Sequence, residues 1–99
     1  MARVELAPQV ADDLDRIHDH LARHGTEGIA ERFDEIIQAI SVLETNPRLG
    51  PPARRGKREL VIGRGSRGYV ALYRYVAEID TVFMLALRSQ REAGYRGPE

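Results

Sequence analysis

The second half of the chain carries most of the side chains that could bind or cleave a polyanion. An arginine guanidinium can donate two parallel hydrogen bonds to one phosphate or carboxylate, so its enrichment points to that chemistry. The basic set is Arg54, Arg55, Lys57, Arg58, Arg64, Arg67, Arg74, Arg88, Arg91 and Arg96. Two interpretations stay open: a surface that meets nucleic acid or an acidic protein segment, or a solvated face with ion pairs that stabilise little.

The net charge of zero hides a division between the two halves of the chain. Residues 1–46 hold ten acidic and four basic side chains, whereas residues 47–99 hold five acidic and eleven basic ones. A genome rich in G and C would explain why fourteen of the fifteen basic residues are arginine. It would not explain the separation of charge, which predicts a basic face built by the second half.

Two further motifs could indicate a dinucleotide site and a metal site, but the residues around them do not support either site. Residues 63–68 spell G-x-G-x-x-G, but a dinucleotide site requires a helix next, and the residues that follow read as a strand. His20 and His24 are four apart on a predicted helix, a spacing that can chelate a metal, yet only carboxylates such as Asp19 are near as a third ligand. We therefore predict a hairpin connection, surface histidines, no metal and no cofactor.

Four aspartates in the first half could be considered for carboxylate catalysis. They are Asp12, Asp13, Asp15 and Asp19. Because they fall across the polar face of a predicted amphipathic helix, we expect them to be solvated surface residues.

Hydrophobic periodicity places a strand and two helices in the acidic half. Residues 3–6 alternate and predict the strand. Pro8 suits the first turn of a helix that Gly25 ends, and its apolar stripe is Val10, Leu14, Ile17 and Leu21. Thr26 can cap a second helix with the stripe Ile29, Phe33, Ile36, Ile37, Ile40 and Leu43. The very short turn between them predicts a helical hairpin.

Three strands are predicted in the basic half, after a loop at residues 46–52. They cover residues 57–62, 69–76 and 81–87, and the last is apolar on both faces, which favours a central place in the sheet. A hairpin loop at 77–80 joins the last two strands. The polar tail from Ser89 is expected to be a short helix or frayed.

The order β-α-α-β-β-β predicts an α+β fold, with the helical hairpin packed on one face of a mostly antiparallel four-stranded sheet. The other face then exposes the arginines, because the basic half is the strand half. Three tyrosines share one side of their strand, and we expect half-buried core aromatics rather than a stacking platform for bases. They are Tyr69, Tyr73 and Tyr75.

Length and composition limit the class of protein. Ninety-nine residues, 42% of them hydrophobic and 30% charged, predict a single globular domain over residues 1–99. The absence of cysteine excludes disulfides and thiolate metal sites. No apolar run approaches the length of a membrane span and no leader pattern is present, so we expect a cytoplasmic protein without membrane partners.

The order of elements and a series of motifs resemble the RelE/ParE toxins, a group that includes plasmid stabilisation proteins. The motifs are Asp-Leu-Asp-Arg-Ile at 13–17, His-Leu-Ala at 20–22, Ala-Glu-Arg-Phe at 30–33, Ala-Ile-Ser-Val-Leu at 39–43, Asn-Pro-Arg-Leu-Gly at 46–50, Arg-Glu-Leu-Val at 58–61, Arg-Gly-Tyr-Val-Ala-Leu-Tyr-Arg at 67–74, and Leu-Arg at 87–88 with an arginine at 91. The resemblance covers nearly the whole chain. It implies a toxin that arrests bacterial growth and an antitoxin partner from the same operon, with a homodimer or a toxin–antitoxin heterotetramer as compatible assemblies.

The resemblance implies two alternative targets, namely messenger RNA on the ribosome for RelE-like members and DNA gyrase for ParE-like members. RNA cleavage needs a deprotonated nucleophile, a stabilised phosphorane and a protonated leaving oxygen. RelE-like members place arginine where this chain has Val70, and arginine or histidine where it has Ser89. If the chain is a nuclease, the candidate catalytic residues are Lys57, Arg58, Arg88, Arg91 and Tyr95.

Val70 and Ser89 depart from the pattern of the RelE-like members and favour the gyrase-directed alternative. Losing one catalytic hydrogen-bond donor or general acid typically lowers the rate of cleavage at least about 10²-fold. The candidate target-binding residues are then Arg64, Arg67, Arg74, Arg88 and Arg91. A third hypothesis is an inactive toxin homologue that acts as a binding module.

Overall fold

The computed structural model describes residues 1–24 and 28–97. Its elements are β1 (Arg3–Leu6), α1 (Pro8–Arg23), α2 (Ile29–Val42), β2 (Arg58–Ile62), β3 (Tyr69–Val76) and β4 (Thr81–Ser89). Single 3-10 turns lie at Arg54–Gly56, Gly65–Arg67 and Ala77–Ile79. This order confirms the predicted β-α-α-β-β-β fold. The helix end at Gly25 and the cap at Thr26, predicted from the sequence, lie outside the described residues.

The four strands form one mixed sheet in the order β1-β4-β3-β2. β1 runs parallel to β4, while the other neighbours are antiparallel. β4 is interior, as its apolar faces predict, and it runs two residues further than expected because Ser89 still pairs with Tyr69. β2 begins at Arg58 rather than Lys57, because Lys57 directly follows the 3-10 turn Arg54–Gly56.

The helical hairpin packs on one face of this sheet and forms the core. The buried helix residues include Val10, Ile17, Leu21, Ile36 and Leu43. Tyr69 and Tyr73 are buried in the same cluster and Tyr75 is packed against it, so the predicted core role of the tyrosines is confirmed. Ile36 is buried whereas its neighbour Ile37 is 58% exposed, because consecutive helix positions point about 100° apart.

The loop that contains Arg48 and Gly50 packs tightly against β2 and β3. The backbone N–H of Gly50 donates a hydrogen bond of 2.9 Å to the buried Tyr73 hydroxyl. A Cβ at Gly50 would lie 2.7 Å from the carbonyl oxygen of Glu59 and 2.9 Å from Cε1 of Tyr73, so only glycine fits. Arg58 donates from Nη1 to the carbonyl oxygens of Gly50 (2.8 Å) and Arg48 (3.2 Å), which holds the loop against the sheet.

Asp13 corrects the expectation that all four aspartates are solvated, because it is fully buried. β1 pairs only with residues 81–84 of β4, so the backbone of Leu87 has no strand partner on that side. Oδ2 of Asp13 accepts the Leu87 N–H at 2.8 Å. Oδ1 accepts from Nε2 of Gln9 at 2.9 Å and from Nη1 of Arg16. The carboxylate therefore completes the edge of β4 where β1 ends.

We expect Asp13→Ala to lower the free energy of unfolding by about 2–4 kcal/mol, because it leaves the buried Leu87 N–H and one side of Arg16 without an acceptor. The matched control is Asp12→Ala, which removes an exposed aspartate of the same helix and should change stability by no more than about 0.5 kcal/mol. Urea unfolding at pH 7 measures both. Equal small losses in the two variants would contradict the structural role of Asp13.

Candidate functional site

The sheet face that points away from the helices, here called the outer face, is not the open basic surface that the sequence predicts. Val70, Leu72 and Ala86 lie on it and are each no more than 4% exposed, although they are not part of the helix-side core. Arg74 and Arg88 share this face, since they alternate along β3 and β4 with core residues and Arg88 pairs with Val70. The centre of the outer face is therefore apolar and covered.

The tail beyond β4 reaches across the outer face at Tyr95. The Tyr95 hydroxyl donates a 2.6 Å hydrogen bond to Oε2 of Glu59, and Glu59 is the register partner of Leu72. The Arg88 guanidinium carbon lies 5.1 Å from the centre of the Tyr95 ring, within range of a cation–π contact. The expectation of a short helix or a frayed end is wrong for residues 90–97, which contain turns and bends held by side-chain contacts.

These contacts occupy the two candidate catalytic groups that the fold brings together. Burial raises the pKa of Tyr95, and the hydrogen bond to Glu59 raises it further, so the phenol stays protonated well above neutral pH. Nη1 of Arg88 donates to the carbonyl oxygens of Ser89 and Glu92, both at 3.2 Å. Its Nε is buried with no hydrogen-bond partner within the described part of the chain.

The other candidate catalytic residues lie elsewhere. Arg58 pairs with Tyr73, a core residue, so its side chain lies on the helix side of the sheet, where it binds loop carbonyls. Lys57 is half-buried just before β2. Arg91 is exposed beyond the end of β4. The five residues do not converge on one point.

A cleft of about 440 Å³, here called the basic cleft, lies between α1, the start of α2 and the residues that follow β4. Five arginines line it: Arg16, Arg32, Arg67, Arg91 and Arg96. Ile17, Leu21 and Tyr69 contribute apolar side chains. Sequence reasoning included Arg67, Arg91 and Arg96 in the basic set but missed Arg16 and Arg32, which lie in the acidic half of the chain. The signal that could have identified the cleft is one face of α1, because positions 16, 17, 20, 21 and 24 follow helical spacing and all line it.

His20 and His24 lie on the rim of the basic cleft, with ring centroids 4.3 Å apart. Both are exposed, as the sequence predicts. Within residues 1–24 and 28–97, no group of three or more His, Cys, Asp and Glu side chains is placed to hold a metal ion. The G-x-G-x-x-G segment runs through a 3-10 turn into strand β3, which confirms a hairpin connection and not the strand–helix junction of a dinucleotide site.

The Arg16 side chain links Glu92, which lines the basic cleft, to the buried Asp13. Arg16 donates to Glu92 from Nε at 3.0 Å and from Nη2 at 3.1 Å, while its Nη1 binds Asp13. Glu92 also accepts the Ser89 N–H at 2.8 Å. Burial alone would raise the pKa of Glu92, but the hydrogen bonds from Arg16 and Ser89 outweigh it and the pKa is lowered. Burial would likewise lower the pKa of Arg16, and the bonds to Glu92 and Asp13 reverse that effect.

The five candidate target-binding arginines fall on different surfaces. Arg67 and Arg91 line the basic cleft. Arg74 and Arg88 lie on the outer face, and Arg64 is exposed in the connection between β2 and β3. The structure therefore offers a cleft, an outer-face pair and a loop instead of one continuous patch.

Comparison with protein families assigns this chain. A family model for the ParE toxin of the type II toxin–antitoxin system parDE matches residues 4–94, and the chain therefore belongs to the ParE toxin family within the RelE/ParE superfamily. A comparison with curated proteins gave no match. No helix of the described residues is long and apolar enough to cross a membrane.

Solved structures confirm the fold. A structure of the chromosomal ParDE system of P. aeruginosa is 24% identical with a TM-score of 0.72, and the match covers 90% of this chain and 96% of that one. The RelBE2 toxin–antitoxin complex of Mycobacterium tuberculosis is 22% identical with a TM-score of 0.58, over 90% and 98% of the two chains. The archaeal RelE–RelB complex of Pyrococcus horikoshii is 15% identical with a TM-score of 0.59, over 93% and 98%.

The lowered pKa of Glu92 gives stability a dependence on acid pH. A carboxyl group with a depressed pKa in the folded state stabilises that state above its unfolded pKa of about 4.5, and this contribution is lost as pH falls through the folded value. We expect Glu92→Gln to lower the free energy of unfolding at pH 7 and to flatten its decline below pH 4.5. Urea unfolding between pH 7 and pH 3 measures this, with Glu78→Gln, an exposed turn residue, as the control. Parallel curves for wild type and Glu92→Gln would contradict the assignment.

Proposed function

We propose that this chain is a growth-arresting toxin that inhibits DNA gyrase in the ParE-like manner, acts in the cytoplasm and is neutralised by a cognate antitoxin. The observation that carries the choice of target is the tail seated on the outer face. Within this tail the Tyr95 hydroxyl binds Glu59, and Arg88 donates to the carbonyl oxygens of Ser89 and Glu92, so both candidate catalytic groups are engaged within the chain.

The chemistry of RNA cleavage finds little support in this arrangement. A general base must accept the 2′-hydroxyl proton near neutral pH, and a phenol that is protonated and already donates to Glu59 cannot do so. A phosphorane needs donors aimed at open space, whereas Arg58 and Arg88 donate to backbone carbonyl oxygens. Val70, the register partner of Arg88, supplies no donor.

Membership of the ParE toxin family supports the same choice. Inhibition by binding requires a surface and not a catalytic constellation, so the dispersed arginines suit it better than they suit a nuclease. We propose that gyrase is contacted through Arg64, Arg67, Arg74, Arg88 and Arg91. The antitoxin partner is supported by the neighbouring structures, which are themselves toxin–antitoxin systems or complexes.

We expect expression from a tightly controlled promoter to arrest growth with stabilised gyrase–DNA breaks and intact messages. The measurement combines growth curves with purified protein added to gyrase supercoiling reactions and to translating ribosomes. Cut messages with unaffected gyrase would contradict the proposal in favour of a ribosome-dependent nuclease. Full growth with both reactions unaffected would instead mean an inactive homologue that serves as a binding module.

The variant Tyr95→Phe separates the two mechanisms within the same assay. It removes the hydroxyl that donates to Glu59 and should weaken folding by about 1.5–3 kcal/mol, as expected for a hydrogen bond to a charged group. If Tyr95 were a catalytic acid or base, activity would fall about 10²–10⁴-fold. On the gyrase proposal, folded Tyr95→Phe protein inhibits supercoiling as well as wild type does.

A further inference from the structure

We propose that the basic cleft is the docking site for a short acidic segment of the antitoxin, with carboxylates on Arg32 and Arg67 and an apolar side chain on the floor between them. This inference rests on the proposed function, since it names the chemistry of the partner's segment. It adds a site built from both helices and from the residues around β3 and β4.

The charges of the cleft argue for an anionic occupant. Among the described residues, its lining holds five arginines against a single carboxylate, Glu92. Glu92 is already bound by Arg16 and by the Ser89 N–H, and Arg96 lies 3.8 Å from it. No described carboxylate of the lining is paired with Arg32 or Arg67, so these two guanidinium groups contribute uncompensated positive charge to the cleft.

Arg32 and Arg67 are the cations that a ligand could use without displacing an existing contact. In the part of the chain that the structure describes, neither has an ion-pair partner. Arg67 is exposed at a 3-10 turn and Arg32 is half-buried near the start of α2. Each guanidinium can bind a carboxylate through two parallel hydrogen bonds.

The floor of the cleft argues for a ligand that is partly apolar. Ile17, Leu21 and Tyr69 line it beneath the charged rim. Small-ligand pockets combine an apolar lining with a few placed polar groups, and about 440 Å³ falls in their usual size range. Glutamate or aspartate flanking a leucine-like side chain fits this combination.

The surroundings of the cleft favour a short protein segment over a nucleic acid strand. α1 and α2 also expose acidic side chains, namely Asp12, Asp15, Asp19, Glu31, Asp34 and Glu35. A polyanion that continued beyond the cleft over these helices would be repelled, whereas a short acidic segment can end inside the cleft. The neighbouring solved structures, which are toxin–antitoxin systems or complexes, support a protein as the occupant.

The test measures binding of a fluorescein-labelled hexapeptide, Glu-Leu-Glu-Glu-Leu-Glu, to the purified full chain by fluorescence anisotropy. We expect binding that weakens with added salt and that falls about tenfold or more in the double variant Arg32→Gln/Arg67→Gln, because two charge-assisted contacts are lost. The matched control is Arg3→Gln/Arg54→Gln, which removes the same charge from exposed positions outside the cleft and should bind as wild type does.

Three results would overturn the inference. They are equal affinity in the two double variants, equal affinity for the lysine counterpart of the peptide, and stronger cleft-dependent binding of a single-stranded RNA hexamer. Amide chemical shifts give a measurement that needs no variant, since the peptide should perturb residues 20–24 and 67–69 and leave 58–61 unchanged. If the peptide does not bind while the chain still inhibits gyrase, the docking proposal is refuted and the toxin proposal is not. If the peptide binds but expression of the chain does not arrest growth, the toxin proposal is refuted and the docking proposal is not.

Discussion

The buried carboxylate of Asp13 is the contact on which the rest of the structure depends. It lies beyond the last of the four residue pairs between β1 and β4, and it gives the Leu87 N–H its acceptor. Arg16 then extends the contact in two directions, to the Leu87 carbonyl oxygen at 3.3 Å and to Glu92 in the tail. One helix, the central strand and the tail are thereby joined through side chains. Removing a carboxylate from such a network is costly because the remaining donors stay buried.

The contacts that hold the tail also determine which parts of the outer face and the basic cleft stay open. Glu92 holds the start of the tail beside α1, and Tyr95 a few residues later binds Glu59 on the outer face. The outer face is consequently closed at its centre, and one of its two arginines, Arg88, donates to backbone carbonyl oxygens. Arg32 and Arg67 border the basic cleft, and Arg64 is exposed in the connection between β2 and β3. These surfaces support the proposed binding role more than the alternative of RNA cleavage.

Periodicity was sufficient to predict the elements, the central place of β4 and the core role of the tyrosines, since each depends on local spacing. It could not predict the role of Asp13, which lies three residues after Val10 on the buried face of α1, because the Leu87 N–H that it accepts is 74 residues away. The basic cleft escaped prediction because Arg32 and Arg67 meet through the tertiary fold. The tail was mispredicted because Glu92 and Tyr95 find their partners, Arg16 and Glu59, 76 and 36 residues away.

A double-mutant cycle between Asp13→Asn and Glu92→Gln tests the central claim most directly, because the two carboxylates are joined through Arg16 alone in the contacts described. The free energy of unfolding would be measured in urea for wild type, both single variants and the double variant. The account predicts that the two losses are not additive, with a coupling energy of about 0.5–3 kcal/mol. Losses that add to within about 0.3 kcal/mol would show that helix, strand edge and tail are stabilised independently, and would contradict it.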